Sequence, residues 1–182
     1  MAQNIQIKVA NSMDLDGILK LQSQNQISQG GTLSAELSRN QIKEMMTDMP
    51  QIVAYVNDKM VGFILTTSQA MHKKRQVPIV EAMFTSYAGL KTDSYIYGPV
   101  CVSEAHRGKG LAQLMFNELL YQVPNREGIL FIKSDNVSSL RAHEKMGIKK
   151  VSSFNFNTAE FNVFSYLFSS NEGKKHGNKH KL

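Results

Sequence analysis

The pattern of apolar and polar positions along the chain predicts short strands alternating with amphipathic helices. Runs of aromatic and β-branched residues between polar turns are typical of strands, whereas apolar residues at i, i+3 and i+4 indicate helices with one buried face. Strands are predicted over residues 5–9, 51–55, 60–67, 95–102, 129–133, 149–157 and 161–168. Helices are predicted over residues 13–24, 34–48, 77–90, 111–120 and 136–147. This mixture indicates an α/β fold.

A glycine-bearing turn joins the predicted strand 95–102 to the amphipathic helix that begins at Leu111. The turn reads Arg107-Gly108-Lys109-Gly110. Because the start of a helix has unpaired amides and a partial positive charge, such a turn suits a phosphate group. An ordinary connection explains the turn equally well when it is taken alone. It fits neither a Walker loop, which needs a hydroxyl residue where Leu111 stands, nor the dinucleotide pattern, which needs a third glycine.

The same segment resembles the phosphate turn of the GCN5-related N-acetyltransferase (GNAT) family. That turn has Arg or Gln, two residues, Gly, one residue, and then Gly or Ala. This chain has Arg107, Gly110 and Ala112 at those positions, after a strand ending Val100-Cys101-Val102. The arrangement is similar to the family pattern at each of these positions.

A second segment resembles another signature of the family. The signature has Asn, a small residue three positions later, Tyr after four more, and Gly after a further four, followed by a hydrophobic residue. The corresponding residues here are Asn136, Ser139, His143 and Gly147-Ile148. The histidine departs from the usual tyrosine, which leaves the identity of the proton donor open.

The resemblance implies a mixed α/β fold with a mostly antiparallel central sheet flanked by helices. It also implies that the strands ending at Val102 and Lys133 splay apart to admit coenzyme A. The activity it implies is direct transfer of an acetyl group from acetyl-CoA to a primary amine within a ternary complex. The amine acceptor, which is either a small molecule or a peptide, is not specified by the family motifs.

Cofactor contacts follow from the resemblance residue by residue. The amides and charges of the turn would hold the diphosphate, and the strand backbone and the second signature would bond the pantetheine arm. The residues concerned are Val100, Cys101, Val102, Arg107, Gly108, Lys109, Gly110, Leu111, Ala112, Asn136 and Ser139. No metal is expected, because the turn lacks a hydroxyl ligand for magnesium.

Three residues are candidates for proton transfer. His143 stands where the family usually places the residue that protonates the departing sulfur, and an imidazole with a pKa of about 6.5 could do so if kept charged. The alternative is a helix histidine that is hydrogen-bonded in the core. No general base is evident, since Phe131 stands where some relatives carry glutamate. Glu81 and Tyr97 are the candidates, and a relay through water is an equal alternative.

The chain of 182 residues suits a single acetyltransferase domain over residues 1–170, followed by a basic tail. The tail 171–182 has four lysines against Glu172, so it contributes +3 of the formal charge of +6. Its composition is typical of a solvated, disordered end, with binding to nucleic acid or an acidic partner as the alternative. His176 and His180 lie in this tail beside glycines, which disfavours a helical metal site.

Two segments are candidates for choosing the acceptor. Residues 77–90 form a helical insert that begins at a proline, where the family often has a short connection, and a surface cover or a homodimer contact explains it equally well. The loop 24–32 is the other candidate, with a plain connector as the alternative. The basic run His72–Arg75 is interpreted as a solvated loop.

Composition places the chain among ordinary globular proteins, with 42% hydrophobic and 20% charged residues. No run of 18 apolar residues and no signal region is evident, so a cytoplasmic location is expected. The single cysteine, Cys101, cannot form an internal disulfide and lies within an apolar strand. We therefore interpret it as a small core residue in preference to a nucleophile.

Two further classes of function stay open beside the enzyme. A module that binds coenzyme A as a sensor, without catalysis, is consistent with the lack of an evident base. A nucleic-acid binder acting through the basic tail is the other alternative, and it would bind in a salt-sensitive way.

Overall fold

The computed structural model describes residues 3–29, 33 and 35–169. The strands are β1 Ile5–Val9, β2 Ile52–Val56, β3 Lys59–Ser68, β4 Tyr95–Val102, β5 Gly128–Lys133, β6 Lys149–Phe156 and β7 Ala159–Tyr166. The α-helices are α1 Leu15–Gln24, α2 Arg39–Asp48, α3 Gln69–Arg75, α4 Pro78–Ser86, α5 Leu111–Gln122 and α6 Val137–Lys145. Short 3-10 turns precede α1, follow it, and lie between β4 and α5.

The strands form one mixed sheet in the order β1-β2-β3-β4-β5-β7-β6. Pairing is antiparallel from β1 to β2, β2 to β3, β5 to β7 and β6 to β7. The parallel pair is β4 with β5, where Tyr95 faces Gly128 and Ile96 faces Ile129. The predicted mixed α/β fold with a mostly antiparallel sheet is therefore confirmed.

The described chain falls into two compact units. Unit 1 contains the described residues up to Thr66 together with Gly98–Pro124, and unit 2 contains Thr67–Tyr97 together with Asn125–Ser169. Each unit has its own apolar core. In unit 1, helix α1 contributes a buried stripe at i, i+3 and i+6, formed by Leu15, Ile18 and Leu21, which packs with Ile42 of α2 and Phe63 of β3.

Gly62 allows two backbone segments of unit 1 to approach closely. A Cβ atom at this position would lie 3.0 Å from the carbonyl oxygen of Cys101 and 3.0 Å from the terminal methyl group of Met115. This close contact explains why the strand carries no side chain at this position.

The sheet residues of unit 2 are covered on two faces. On one face, Val80 and Met83 of α4 pack against Ile96, Ile129 and Val163. Successive side chains of a strand point to opposite faces, so the neighbours Tyr95 and Tyr97 lie on the other face. Unit 2 thus has an aliphatic face under α4 and a tyrosine face opposite it.

The helix predicted over 77–90 is present as α4, Pro78–Ser86. A further helix that was not predicted, α3, precedes it, and the run His72–Arg75 belongs to α3. Its interpretation as a solvated loop was wrong, because His72 is buried. Ser68 caps the start of α3 by accepting the amide of Met71, and the basic side chains lie in its last turn, where the helix dipole favours them.

Some boundaries of helices and turns also differ from those predicted. Helix α2 begins at Arg39, not near Ser34, because Ser38 and Gln41 form a capping box there, and Ser34 itself lies outside the described residues. The turn predicted at 158–160 lies at Asn157 and Thr158, with φ values of 45° and 66°. The tail 171–182 lies outside the described residues, and the loop 24–32 contains a 3-10 turn at Ile27–Gln29.

Gln51 connects three backbone segments inside unit 1. Its amide nitrogen lies 2.8, 2.9 and 3.0 Å from the carbonyl oxygens of Met45, Met49 and Thr66, and its amide oxygen accepts the Thr66 N–H at 2.6 Å. The side chain is buried, so no water replaces these partners when it is removed.

We expect Gln51→Leu to lower the free energy of unfolding by about 2 to 4 kcal/mol, because several buried backbone groups lose their partner. Urea unfolding at neutral pH measures this change. Gln24→Leu, which alters an exposed glutamine at the end of α1, is the matched control and should change stability by less than about 0.5 kcal/mol. Equal stability of the two variants would contradict the role assigned to Gln51.

Candidate active site

The connection from β4 to α5 in unit 1 has the form of an anion cradle. Gly108 and Gly110 have φ values of 73° and 78°, a conformation that favours glycine. Gly110 is the N-cap of α5 and, as a glycine, offers no side chain to cap the first amides of this helix. A Cβ atom built at either glycine would have no neighbour within 4 Å. The space above the turn is therefore open, and the start of a helix without a side-chain cap favours an anionic group there.

Arg107 is held at the edge of this cradle. Its Nε–H donates to the carbonyl oxygen of Val102 at 3.1 Å, and one Nη2–H donates to the Oδ1 atom of Asn25 at 3.0 Å. Lys109 is exposed on the same turn. The two cations and the helix dipole give the turn a positive potential, which suits an anionic ligand.

The strand that precedes the cradle carries the sole cysteine. Cys101 is buried among apolar residues that include Ile18 and Phe63. Burial raises the pKa of the Cys101 thiol to about 12, so the side chain stays protonated at neutral pH. This favours the core interpretation over a nucleophile. Val100 and Val102 on either side are half-buried, and the Val102 carbonyl is the one that accepts from Arg107.

The second signature lies in unit 2, at and within α6. Asn136 is the N-cap of this helix, and its Oδ1 atom accepts the Ser139 amide at 3.2 Å. The carbonyl oxygen of Ser139 in turn lies 2.8 Å from Nδ1 of His143. Asn136, Ser139 and His143 are therefore brought together, and the asparagine has a capping role in addition to the contact with pantetheine that the resemblance implies.

His143 is 6% exposed, and its hydrogen bonds define its tautomer. Because a carbonyl oxygen only accepts, Nδ1 must carry the proton that is donated to Ser139. Burial lowers the pKa of His143, so the ring is neutral at neutral pH. Its Nε2 atom then has a free lone pair, and the hydroxyl of Tyr97 donates to it at 3.3 Å. The charged resting state assumed for a general acid is disfavoured here.

Tyr97 is the partner that the sequence alone did not connect with His143. The two rings meet edge to face with centroids 5.6 Å apart. Burial raises the pKa of Tyr97 well above its usual value, so the phenol stays protonated. On its own, this phenol is a hydrogen-bond donor and not a resting base. The pair is 46 residues apart in sequence, and the alternation of β4 was the sole signal that Tyr97 faces away from the α4 side.

Glu81 does not join this group. It lies on α4, which packs against the face of the sheet that Ile96 occupies, whereas Tyr97 and His143 lie on the opposite face. Its carboxylate accepts a hydrogen bond from Nε2 of the buried His72 at 2.7 Å. The structure therefore pairs Glu81 with His72 and places it away from the other two candidates for proton transfer.

Neither a membrane-spanning helix nor a metal cluster is found in the part of the chain that the structure describes. No helix there is long and apolar enough to cross a bilayer. No group of three or more His, Cys, Asp or Glu side chains among these residues could hold a metal ion.

Comparison with known proteins gives a family match over most of the chain. A family model described as the acetyltransferase (GNAT) family matches residues 18–148. No match was found among curated proteins. The matched segment includes both sequence motifs, so the motifs and the family model agree.

Solved structures with a similar fold share little sequence with this chain. A GNAT-family acetyltransferase from Streptococcus agalactiae 2603 has a TM-score of 0.67 and 15% identity, with 90% of this chain and 95% of that chain covered. The yncA protein of Salmonella typhimurium, solved with its cofactor acetyl-CoA, has a TM-score of 0.64 and 14% identity. The match covers 91% of this chain and 95% of that chain. Naa50 of Arabidopsis thaliana, solved with the bisubstrate analogue CoA-Ac-MVNAL, has a TM-score of 0.63 and 14% identity. The match covers 90% of this chain and 99% of that chain.

The lowered pKa of His143 predicts a pH dependence of stability. When pH falls below the unfolded-state pKa of about 6.5, the unfolded chain binds a proton that the folded chain does not yet bind, so stability is lost as pH falls. We expect His143→Gln to show a smaller loss of stability between pH 7.5 and pH 5.5 than the parent, as measured by urea unfolding.

The control for this measurement is Gln24→Ala, which alters an exposed side chain that carries no titratable group and should leave the pH dependence close to that of the parent. If the parent and His143→Gln lost the same stability over this range, His143 would not be held neutral by burial.

Proposed function

The chain belongs to the acetyltransferase (GNAT) family, and on that premise we propose that it transfers the acetyl group of acetyl-CoA to a primary amine. The observation that carries this proposal is the open glycine turn beside Arg107. Its unpaired amides, the dipole of α5 and two cationic side chains suit the diphosphate of coenzyme A.

The energetics of such a cradle are sufficient for useful binding. Each contact between an anion and a helix terminus contributes about 0.3 to 1 kcal/mol, and up to about 2 kcal/mol when it is partly buried. Micromolar affinity corresponds to about 8 kcal/mol. Several amides, the dipole and the Arg107 guanidinium together therefore account for affinity in that range, with the pantetheine arm adding its own contacts.

The reaction has two proton transfers besides the exchange of bonds. The lone pair of a neutral amine attacks the thioester carbonyl, so that a C–N bond forms and the C–S bond breaks. The nitrogen must then lose a proton, and the sulfur, as a thiolate whose conjugate acid has a pKa of about 8.5, gains one. A group that accepts the first proton and releases the second satisfies both requirements.

We propose that Tyr97 and His143 form this group. The Tyr97 hydroxyl donates to Nε2 of neutral His143, so a proton arriving at the phenol oxygen can be matched by transfer of the phenol proton to the imidazole. The imidazolium formed in this way is a stronger acid than a thiol, since burial lowers its pKa. Return of the proton through the same path to the thiolate is therefore downhill.

The acceptor is proposed only as a class. Primary amines of small molecules and the amino termini of peptides both belong in a test panel, because Naa50 was solved with an analogue that contains the peptide MVNAL. Amine transfer would be observed as release of free thiol from acetyl-CoA. Binding of coenzyme A without turnover on any amine would favour the sensor module instead.

The cradle predicts a specific loss of affinity on adding a side chain. Gly110→Ala places a Cβ in the open space above the turn and strains a positive φ, so we expect the dissociation constant for coenzyme A to rise about tenfold or more. Isothermal titration calorimetry measures this change.

Gly147→Ala is the matched control, since Gly147 has the same φ of 78° but ends α6. It should show a similar strain in urea unfolding and an unchanged affinity for coenzyme A. Equal affinities of the two variants would reject the cradle as the binding site.

The proton path predicts linked kinetic defects. We expect Tyr97→Phe and His143→Phe each to lower kcat about 100-fold, near the lower end of what general acid–base groups contribute, with little change in KM for acetyl-CoA. Because the path starts from neutral His143 and burial lowers the pKa of this imidazole, kcat of the parent should fall only at pH values below the ordinary histidine pKa of about 6.5.

The double variant Tyr97→Phe/His143→Phe tests whether the two residues act as one unit. A kcat close to that of either single variant supports the path, since removing one member already breaks it. Turnover of both single variants at the parent rate would exclude the path and favour the interpretation of His143 as a core residue.

A further inference from the structure

Asn25 lies at the junction between the end of α1 and the cradle. It is 5% exposed, and its Oδ1 atom accepts a hydrogen bond from Nη2 of Arg107 at 3.0 Å. The two residues are 82 positions apart in sequence, and both lie in unit 1. No motif in the sequence marks Asn25, so the contact arises from the fold alone.

The orientation of the Asn25 amide is fixed by its other bonds. Its Nδ2 atom donates to the carbonyl oxygen of Leu21 at 2.8 Å, which aims Oδ1 at Arg107. Its backbone carbonyl accepts the amide of Leu33 at 3.0 Å, so the start of the loop that follows α1 is tied back to the same residue. A buried amide bonded on these sides is a rigid acceptor.

This acceptor completes a two-point anchor for the guanidinium. Arg107 has five N–H donors in one plane. Bonds from Nε to Val102 and from Nη2 to Asn25 define that plane, even though the side chain is exposed. A long side chain that is already ordered loses less conformational entropy when it binds a ligand, and a planar guanidinium can then present its other N–H groups to phosphate oxygens.

We propose that Asn25 is a positioning residue for cofactor binding, which holds the Arg107 guanidinium in the orientation that receives the diphosphate of coenzyme A. This inference rests on the proposed function, because it assumes that the cradle takes that ligand. Asn25 does not itself touch the ligand. Its contribution is transmitted through Arg107, and it should therefore vanish when Arg107 cannot form the contact.

The test is a double-mutant cycle read by calorimetric titration with coenzyme A. We expect Asn25→Ala to raise the dissociation constant about five- to tenfold and Arg107→Gln to raise it about tenfold or more. In the Arg107→Gln background, Asn25→Ala should change it less than about twofold.

Gln26→Ala is the matched control for loosening the loop. The Gln26 amide bonds the carbonyl oxygens of Gln22 and Ala35 in the same segment, but its contacts do not involve Arg107. The affinity of the Gln26→Ala variant for coenzyme A should stay within about twofold of that of the parent. If Asn25→Ala does not fold, Asn25→Ser, whose hydroxyl is too short to reach Arg107, replaces it with the same expected result.

Two outcomes of the double-mutant cycle would overturn the inference. One is an unchanged affinity for coenzyme A in Asn25→Ala, and the other is an Asn25→Ala effect of equal size with and without Arg107. A second ligand separates positioning from general loosening: S-acetylpantetheine carries no phosphate, so its kcat/KM should be unaffected by Asn25→Ala, whereas that of acetyl-CoA falls. An equal fall for both ligands would also overturn the inference.

Failure of the proposed function has a different signature. Binding of coenzyme A with the expected cycle, but without thiol release on any amine, would remove the enzymatic proposal and support the positioning role. Absence of coenzyme A binding by the parent protein would overturn both.

Discussion

The candidate chemistry depends on the tight connection between β4 and α5. At Gly108 and Gly110 the backbone takes positive φ values, and α5 begins without a side chain to satisfy its first amides. An uncapped helix start is locally destabilising unless another group bonds those amides. The same feature leaves donors and the positive end of the helix dipole available to a ligand. Among the residues that the structure describes, none lies within 4 Å of a Cβ built at either glycine, so there is room for a ligand at the start of this helix.

Two buried polar side chains are oriented by the same device. Asn25 donates to the carbonyl oxygen of Leu21, and His143 donates to that of Ser139, in each case four residues earlier. The bond fixes one polar atom, so the other atom of the side chain points away from the helix as an acceptor. In Asn25 this acceptor meets Arg107, and in His143 it meets the hydroxyl of Tyr97. One helical hydrogen bond thus determines the geometry of a contact with a distant residue.

The sequence could predict what is encoded locally. Alternation of apolar and polar residues identified the strands, and helical periodicity identified the helices other than α3. The turn 107–110 together with the second signature identified the family. The contacts of Arg107 with Asn25 and of His143 with Tyr97 join residues 82 and 46 positions apart, and no local pattern specifies such pairs. His72 was misread because a basic run is usually solvated, whereas its ring is buried and bonded to Glu81. In these cases tertiary packing decided what composition could not.

His143 supplies the candidate site with a group that, once protonated, is a stronger acid than the leaving thiol. A buried phenol has a pKa far above that of a thiol, so complete transfer of its proton to a thiolate is uphill. Burial has the opposite effect on imidazole, since it disfavours the cation and makes imidazolium the stronger acid. In the proposed path Tyr97 therefore conducts a proton and His143 stores it, and the same desolvation that keeps His143 neutral at rest makes release of the stored proton favourable. Substitution of His143 by tyrosine would remove that store, because a neutral phenol has no basic nitrogen that could accept the proton passed on by Tyr97.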